Sequence, residues 1–304
     1  MTQKILIIGS EGFIGKSYIK YHKKHNNQNE ELFMIDIINI EKKNYFKCDI
    51  TDFEKVYTII QKIKPNEIYI FAGSFSNLYE TDYLNNVLAT KNIFDSIIKS
   101  DNLDCKILIN GSAAEYGYIK DFNNPISEQH LLNPISIYGL SKVFQTYLAK
   151  MYFLQNNVKV FITRPFNIIG FGISNKLFIG KLIDEITTYL EKKSKIFLGN
   201  LNNERDYIDI EDLISAYDVI VNKGKYGEIY NIGSGISVKI QNLLELFLTV
   251  FEIKDCLIEQ NTNKTNKYDV PKIIADISKL KQLNWNAKIT IENSIQKIKN
   301  AIIK

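Results

Sequence analysis

Short apolar runs alternate with helical stretches through the first half of the chain, a glycine-rich turn follows the first run directly, and an acidic residue ends the second. Together these predict an α/β protein: a Rossmann-type doubly wound parallel sheet followed by a smaller, mostly helical C-terminal lobe suited to holding a substrate. The first run, Ile5 to Ile8, is apolar without interruption, as a parallel strand covered on both faces should be. Glycines follow at once, and a helical segment continues through Tyr21. Leu32 to Ile35 is a second strand ending in Asp36. Tyr45 to Cys48, Glu67 to Phe71, Lys106 to Ile109 and Val158 to Thr163 continue the series, with helical periodicity between them. Asp82 to Ser100 and Tyr138 to Leu154 read as long helices. After Arg164 and Pro165 the pattern changes to a turn at Gly170 and Gly172, a helix through Glu191 and a short strand at Ile196 to Leu198. A helix near Glu211 to Val221 and a strand from Glu228 to Ile232 return to the main sheet. From Val238 onward, helices and short connections end in Ile291, Ile295, Ile298 and Ile302, a stripe on one helical face. That stripe reads as core packing of the lobe, with a helix lying on a membrane surface as the other reading. The expected division is 1–167 plus 210–234 for a dinucleotide-binding domain and 168–209 plus 235–304 for the lobe.

A chain of 304 residues, 45% hydrophobic and 24% charged, is long enough for such a unit with a real core, and it contains neither low complexity nor a fixed repeat. Its net charge of +4 is spread over scattered lysines such as Lys23, Lys24, Lys42, Lys43, Lys192 and Lys193, with acidic residues between them. No stripe of arginines with aromatics marks a nucleic-acid surface. Cys48, Cys105 and Cys256 have neither metal-ligand nor disulfide spacing and read as packing residues in a reducing cytoplasm. The opening apolar run is too brief for a signal peptide and no stretch approaches transmembrane length, so a cytoplasmic protein is expected. His22, His25 and His130 form no ligand cluster. The first two are expected to be solvated at a helix end, and no metal is expected.

Gly9, Gly12 and Gly15 after a strand let the backbone turn tightly and approach a pyrophosphate facing a helix N-terminus, although such a triplet alone is a weak signal. Asp36 follows Gly15 by 21 positions at the end of the second strand. A carboxylate there hydrogen-bonds a ribose 2′-hydroxyl and repels a 2′-phosphate, which favours NAD(H) over NADP(H); a helix cap or surface charge is the alternative. Asp49 and Ile50, just past the third strand, are placed for an adenine edge, though an aspartate in a turn is commonplace. Ser112 lies at the carboxyl edge of the sheet, where ligands of such folds collect, and it also reads as a turn serine capping its own backbone. Tyr138 and Lys142 stand at helical spacing, so the ammonium can lie beside the phenol and stabilise its anion. A free tyrosine titrates near pH ~10, and an ammonium together with an oxidised nicotinamide would bring the phenol toward neutrality as a general acid/base. Alone, the two residues would pass for a surface pair on an amphipathic helix.

The ordered set of segments resembles the extended short-chain dehydrogenase/reductases that act on nucleotide sugars, nearly from end to end. Asn110 to Gly117 (NGSAAEYG), Tyr138 to Lys142 (YGLSK), Arg164 to Asn167 (RPFN), Arg205 to Asp209 (RDYID) and Tyr230 to Gly233 (YNIG) stand in family order. The form of residues 111–117, the segment Leu198 to Asp206, and Asp269 to Pro271 followed by Asp276 to Leu280 look most like GDP-4-keto-6-deoxy-D-mannose reductases. The resemblance implies a catalytic trio of Ser112, Tyr138 and Lys142. It implies a cofactor held by Gly9, Gly12, Phe13, Ile14, Gly15, Asp36, Asp49, Ile50, Ala72 and Gly73 together with Tyr138 and Lys142. It implies a sugar nucleotide held by Ser74, Ser112, Asn167 and Arg205, and a homodimer through the helices at 82–100 and 138–154. Members that dehydrate their sugar carry acidic residues just after the catalytic hydroxyl, where this chain has Ala113 and Ala114. One departure is that the phosphate-binding arginine often found before the Asp269 segment falls on Asn266, with Lys264 and Lys267 nearby.

In the reductive direction the resemblance implies hydride transfer from NADH to C4 of a 4-keto sugar. Tyr138 would protonate the developing alkoxide, Ser112 hold that oxygen, Lys142 hold the cofactor ribose and Arg205 clamp the diphosphate. The same groups run backwards oxidise a C4 hydroxyl. A C4 dehydrogenase of a GDP-hexose or GDP-heptose with tightly retained NAD, a 4-epimerase, and a dinucleotide-sensing module without chemistry therefore stand beside the reductase.

Overall fold

Ile5 and Ile7 point to one side of the first strand and Leu6 and Ile8 to the other, each pair entering a different hydrophobic cluster. A strand that buries both faces needs helices on both, and the chain supplies them. The computed structural model describes residues 2–25, 29–260 and 270–303. The first half runs β1 (Gln3–Ile8), α1 (Phe13–His25), β2 (Glu30–Asp36), β3 (Tyr45–Lys47), α2 (Phe53–Ile63), β4 (Glu67–Ile70), α3 (Tyr79–Asp82), α4 (Ala89–Lys99), β5 (Lys106–Asn110), α5 (Ile137–Asn156) and β6 (Lys159–Pro165). The second half follows as β7 (Asn167–Ile169), α6 (Phe178–Lys192), β8 (Ile196–Leu198), β9 (Glu204–Asp209), α7 (Ile210–Lys223), β10 (Ile229–Ile232), β11 (Ser237–Lys239), α8 (Ile240–Val250), β12 (Ile258–Gln260), β13 (Lys272–Ile273), α9 (Ser278–Gln282) and α10 (Ile291–Ile302).

Seven strands form one parallel sheet in the order β10-β6-β5-β4-β1-β2-β3. Residues of α2, α4 and α5 cover one face, and those of α1 and α7 the other. The strand order reverses direction between β1 and β4, so a crevice opens there at the carboxyl ends of the strands. β10 returns to the sheet beside β6, as the second-half pattern predicts.

Elsewhere the fold departs from the sequence reading in instructive ways. Where apolar spacing predicts one helix from 82 to 100, α3 and α4 are joined by a π-helical segment, Tyr83–Leu88. A widened turn keeps the same buried face, so a period of 3.6 does not reveal it. The C-terminal lobe holds α6, α8 and α10 around a third cluster, together with two small sheets built from β7, β9, β11 and β13 and from β8 and β12. Strands of two or three residues leave no alternation to read. Ile295 and Ile298 are fully buried in that third cluster, so the stripe on α10 is core. Leu280 and Trp285 instead pack with α1 and α7 beneath the main sheet, so the tail past residue 235 contributes to both cores.

His22 is not solvated as expected. Its ring stacks on Tyr18 and lies between Glu30, 3.1 Å from Nδ1, and Asp218, 3.3 Å from Nε2. Burial pulls its basicity down, but the hydrogen bonds and charges of the two carboxylates prevail and raise it. Cys48 and Cys105 are buried thiols whose burial pushes them up, Cys48 to about 11. Such thiols pack and do not react. Among the described residues no helix is long and apolar enough to cross a membrane, and no group of three acidic, cysteine or histidine side chains is arranged to hold a metal.

Candidate active site

Two sequence motifs meet at the carboxyl edge of the sheet. The glycine turn leaves β1 with Gly9 at φ 83°, where a Cβ would lie 2.4 Å from the Ala72 amide nitrogen. Only glycine lets the turn pass under the end of β4. A Cβ on Gly15 would come 2.2 Å from the Gly9 carbonyl oxygen, so this glycine lets α1 seat on the turn. Gly12 is different: it is exposed, and its Cβ would meet only the Gly9 carbonyl oxygen, at 3.4 Å. Its bareness serves something that approaches from outside, at the N-terminus of a 13-residue helix. Ser10 Oγ in the same turn is buried without a hydrogen-bond partner among the described residues. Phe13 and Ile14 open α1 with their side chains packed on the cluster beneath.

Asp36 closes β2 beside this turn, its Oδ2 accepting the Glu11 N–H at 2.8 Å. The glycine turn, the helix N-terminus and this carboxylate thus lie side by side at the end of β1 and β2, a set of groups that could hold a dinucleotide. Asp49 is exposed just past β3, its Oδ1 accepting both the N–H and the hydroxyl of Thr51, and the Ile50 side chain lies in the core.

Tyr138 and Lys142 occupy the first turns of α5, which begins at the Ser136 cap. Ser112 follows β5, in extended conformation, capping a single 3-10 turn. Lys142 Nζ donates to the Asn110 carbonyl, two residues before Ser112, at 2.8 Å and to Gln145 Oε1 at 3.0 Å, and it lies 5.9 Å from the centre of the Tyr138 ring. The structure thus brings the candidate trio to one edge of the sheet. Burial pushes the phenol of Tyr138 up to about 12; the Ser112 side chain opposes this and the charges of Glu115 and Asp82 add to it. Burial also pushes Lys142 down to about 8 against the pull of Glu115 and Asp82. Lys142 is committed to a strand-end carbonyl rather than to the phenol, so by itself the pair does not make a tyrosine that titrates near neutrality.

A second set of contacts was not signalled by spacing. Asn86, fully buried in the π segment, accepts the Ser74 N–H at 2.8 Å and donates to the Ser74 carbonyl and to Ser141 Oγ. It pins the loop after β4 to α5, and Gly73 is bare because a Cβ would lie 2.7 Å from Asn86 Oδ1. Asn77 Oδ1 accepts the Tyr138 N–H at 3.2 Å, and Phe75 meets the Tyr138 ring edge-on at 4.7 Å. Ser74 therefore lies beside the trio. Asn167 and Arg205 belong to the second sheet: Asn167 Nδ2 donates to the Asp206 carbonyl at 3.0 Å, and Arg205 Nη1 donates to the carbonyls of Glu204 and Val270. Lys264, Asn266, Lys267 and Asp269 lie outside the described residues.

Comparison with known proteins shows the family. The family model described as GDP-mannose 4,6 dehydratase matches residues 6–298. GDP-6-deoxy-D-talose 4-dehydrogenase of Aggregatibacter actinomycetemcomitans is 27% identical over 280 residues, covering 91% of this chain and 90% of that protein. GDP-6-deoxy-D-mannose reductase of Pseudomonas aeruginosa is 26% identical over 307 residues, covering 98% and 96%. The solved structure of RMD from Pseudomonas aeruginosa complexed with NADPH superposes with a TM-score of 0.86 at 22% identity over 99% of both chains, a likeness of fold.

Proposed function

This chain belongs to the GDP-mannose 4,6-dehydratase family of extended short-chain dehydrogenase/reductases, enzymes that act on nucleotide sugars, and we propose that it is an NAD(H)-dependent oxidoreductase working at C4 of a GDP-linked manno-type sugar. The reading is carried by one observation: the Ser112 turn and the first turns of α5 pack together at the sheet edge, Lys142 Nζ donating to the Asn110 carbonyl at 2.8 Å and Gly139 so close to the turn that a Cβ would lie 2.5 Å from the Ala114 carbonyl oxygen, with Ala113 and Ala114 following Ser112 where a dehydrating member carries acids. The next acid, Glu115, is fully buried and committed to Arg164, so it is not available for proton abstraction from a sugar.

When bound, the nicotinamide supplies the hydride to C4 or takes it away. Tyr138 gives its proton to the sugar oxygen in reduction and receives it in oxidation; its raised value keeps the phenol protonated at neutral pH, the form from which reduction starts. Ser112 donates to the same oxygen and holds it against Tyr138. Lys142, one helical turn further along α5, holds the ribose hydroxyls. Gly12 and the α1 N-terminus receive the pyrophosphate, and Asp36 the adenosine ribose, which argues for NAD(H) over NADP(H). The sugar nucleotide lies between the sheet edge and the lobe formed by 168–209 and 235–304, with Ser74, Asn167 and Arg205 on its path.

We place reduction of GDP-4-keto-6-deoxymannose first, because the motifs at 111–117 and 198–206 resemble that group most. The talose 4-dehydrogenase relative, similar to the same degree, supports the opposite direction, oxidation of a C4 hydroxyl, as the second reading. The deciding experiment denatures freshly purified protein and identifies the nucleotide released and its redox state. An empty site that binds NADH reversibly, and turnover of GDP-4-keto-6-deoxymannose with NADH, is the expected result. Stoichiometric NAD or NADH would transfer the assignment to a dehydrogenase or epimerase that recycles its cofactor. Tyr138→Phe should lower turnover by about 10²–10⁴ while leaving NADH binding intact; near-normal turnover would remove Tyr138 from the reaction. We also propose a homodimer built on α5 and the helix formed by α3, the π segment and α4.

A further inference from the structure

Glu115 is a fully buried carboxylate with partners on three different elements. Its Oε1 accepts the N–H of Ser112 at 3.1 Å, closing the capping box of the 3-10 turn. Its Oε2 accepts the hydroxyl of Thr146 on α5 at 2.8 Å and both Nε and Nη2 of Arg164 on β6, each at 2.8 Å. Tyr138, Lys142 and Thr146 are spaced four apart, so the carboxylate grips α5 on the same stripe that carries the reacting residues.

The far side of this carboxylate is locked. Arg164 lies over the Tyr116 ring, 4.8 Å from its centre, and Nη1 donates to the Tyr116 hydroxyl at 3.2 Å. That hydroxyl donates to Asn231 Oδ1 on β10 at 2.6 Å. Two sheet strands therefore hold the guanidinium in place, and the guanidinium holds Glu115. Backbone space has been cleared for it: a Cβ on Gly111 would lie 2.6 Å from Glu115 Oε1 and 2.4 Å from the Thr163 carbonyl oxygen. Ser112 Oγ accepts the Ala114 N–H at 3.1 Å, which fixes the side chain at its oxygen and leaves its O–H uncommitted to the turn.

We propose that Glu115 is a positioning residue for the reaction: it sets the separation between the Ser112 turn and the Tyr138 helix, so that both hydroxyls converge on one sugar oxygen. The inference rests on the functional reading above, in which those two hydroxyls act together. A buried ion pair that merely filled the interior would satisfy Arg164 equally well without touching the Ser112 amide or α5. Hydroxyls that must converge on a reacting atom lose rate steeply when displaced by about 1 Å, whereas Glu115 makes no hydrogen bond to the glycine turn or Asp36, which would hold the far end of the cofactor. The charge of Glu115 also reaches Tyr138 and Lys142, favouring the protonated form of both.

The test uses Glu115→Asp, which keeps the charge beside Arg164 but shortens the reach to Ser112. A second variant, Glu115→Leu with Arg164→Met, replaces the buried pair by apolar side chains of similar volume, a change that folded proteins often tolerate. Thermal midpoint, NADH dissociation constant by fluorescence, and kcat and KM for the sugar nucleotide are measured for each. The expected result is a kcat at least tenfold lower in both, with KM within about twofold of the parent, the folded state retained and, in Glu115→Asp, which keeps the charge that reaches Lys142, NADH affinity within about twofold of the parent. A kcat within threefold of the parent in either folded variant overturns the inference. So does a kcat loss in Glu115→Asp matched by lost NADH affinity, and so does failure of both variants to fold, since either would make the pair a scaffold only. Tyr138→Phe is run in parallel: if it remains active, the reading of the reaction has failed, whereas an inactive Tyr138→Phe beside an active Glu115→Asp sinks the positioning role alone.

Discussion

Lys142 carries the sharpest consequence at the scale of single residues, because it is a buried cation whose nearest partners are a carbonyl and an amide. Its value is depressed to about 8 in the folded chain, so the charge is present below that pH and disappears as pH rises through it, well before an exposed lysine would lose its proton. If the ammonium holds the cofactor, NADH affinity measured by fluorescence titration should fall several-fold between about pH 7 and pH 9. Lys142→Met should bind more weakly at pH 7 and show a flatter profile; an equally steep profile in the variant would assign the titration to another group. Asp36 leads to a second expectation of the same kind. Asp36→Ala removes the carboxylate that a 2′-phosphate would meet, and should improve NADP relative to NAD by about tenfold or more, ~1.4 kcal/mol. Unchanged preference in a calorimetric comparison would mean that the carboxylate serves only the Glu11 amide it already holds. The pairing of Tyr138 with Lys142 was legible in the sequence because its spacing is local, whereas Ser112 was singled out only by family resemblance. The proton affinities of Tyr138 and Lys142 were not legible, because burial and the charges of Asp82 and Glu115 come from segments distant in sequence.

At the scale of elements, the turn between β1 and α1 separates two jobs that glycine performs. A Cβ on Gly15 meets backbone atoms of Gly9 and Ser10 at 2.2 and 2.8 Å, which cannot yield without moving α1 off the sheet. Gly15→Ala should therefore cost stability of roughly 1–3 kcal/mol and weaken cofactor binding with it. A Cβ on Gly12 meets the chain only at 3.4 Å and otherwise faces outward. Gly12→Ala should keep the parent melting temperature while raising the NADH dissociation constant about tenfold or more, ~1.4 kcal/mol. Calorimetry and fluorescence titration on the two variants read both quantities. Loss of stability in Gly12→Ala, or none in Gly15→Ala, would show that the turn is built differently. The strands of the main sheet were legible because β1, β4, β5 and β6 are buried on both faces and read as unbroken apolar runs. The π segment and the strands β7, β11 and β13 were not, since neither a widened turn nor a two- or three-residue strand leaves a period of its own.

Across the whole molecule, one feature of the outer surface remains unspent after both sheet faces and the lobe have been covered. Phe144, Tyr147, Met151 and Leu154 follow one another along the solvent face of α5, and Tyr83 and Leu84 of the π segment are also exposed. Tyr147 is 60% and Leu154 76% accessible, although α5 buries Val143, Ala149 and Tyr152 on its other side. A helix that is apolar on both faces has two partners to satisfy, and the main sheet is only one of them. A second copy related by a two-fold axis would set α5 and the π-bearing helix of one protomer against the same pair of the other, since a two-fold contact is made by one patch meeting itself. A stable contact of this kind covers about 800 Å² on each partner. Tyr147→Glu with Leu154→Glu should convert a dimer into a monomer at micromolar concentration in sedimentation velocity. Because Tyr138 and Lys142 stand on the same helix, the monomer should also lose activity and melt several degrees lower. A parent protein that sediments as a monomer, or a double variant that remains dimeric, would leave this stripe without the partner argued for it.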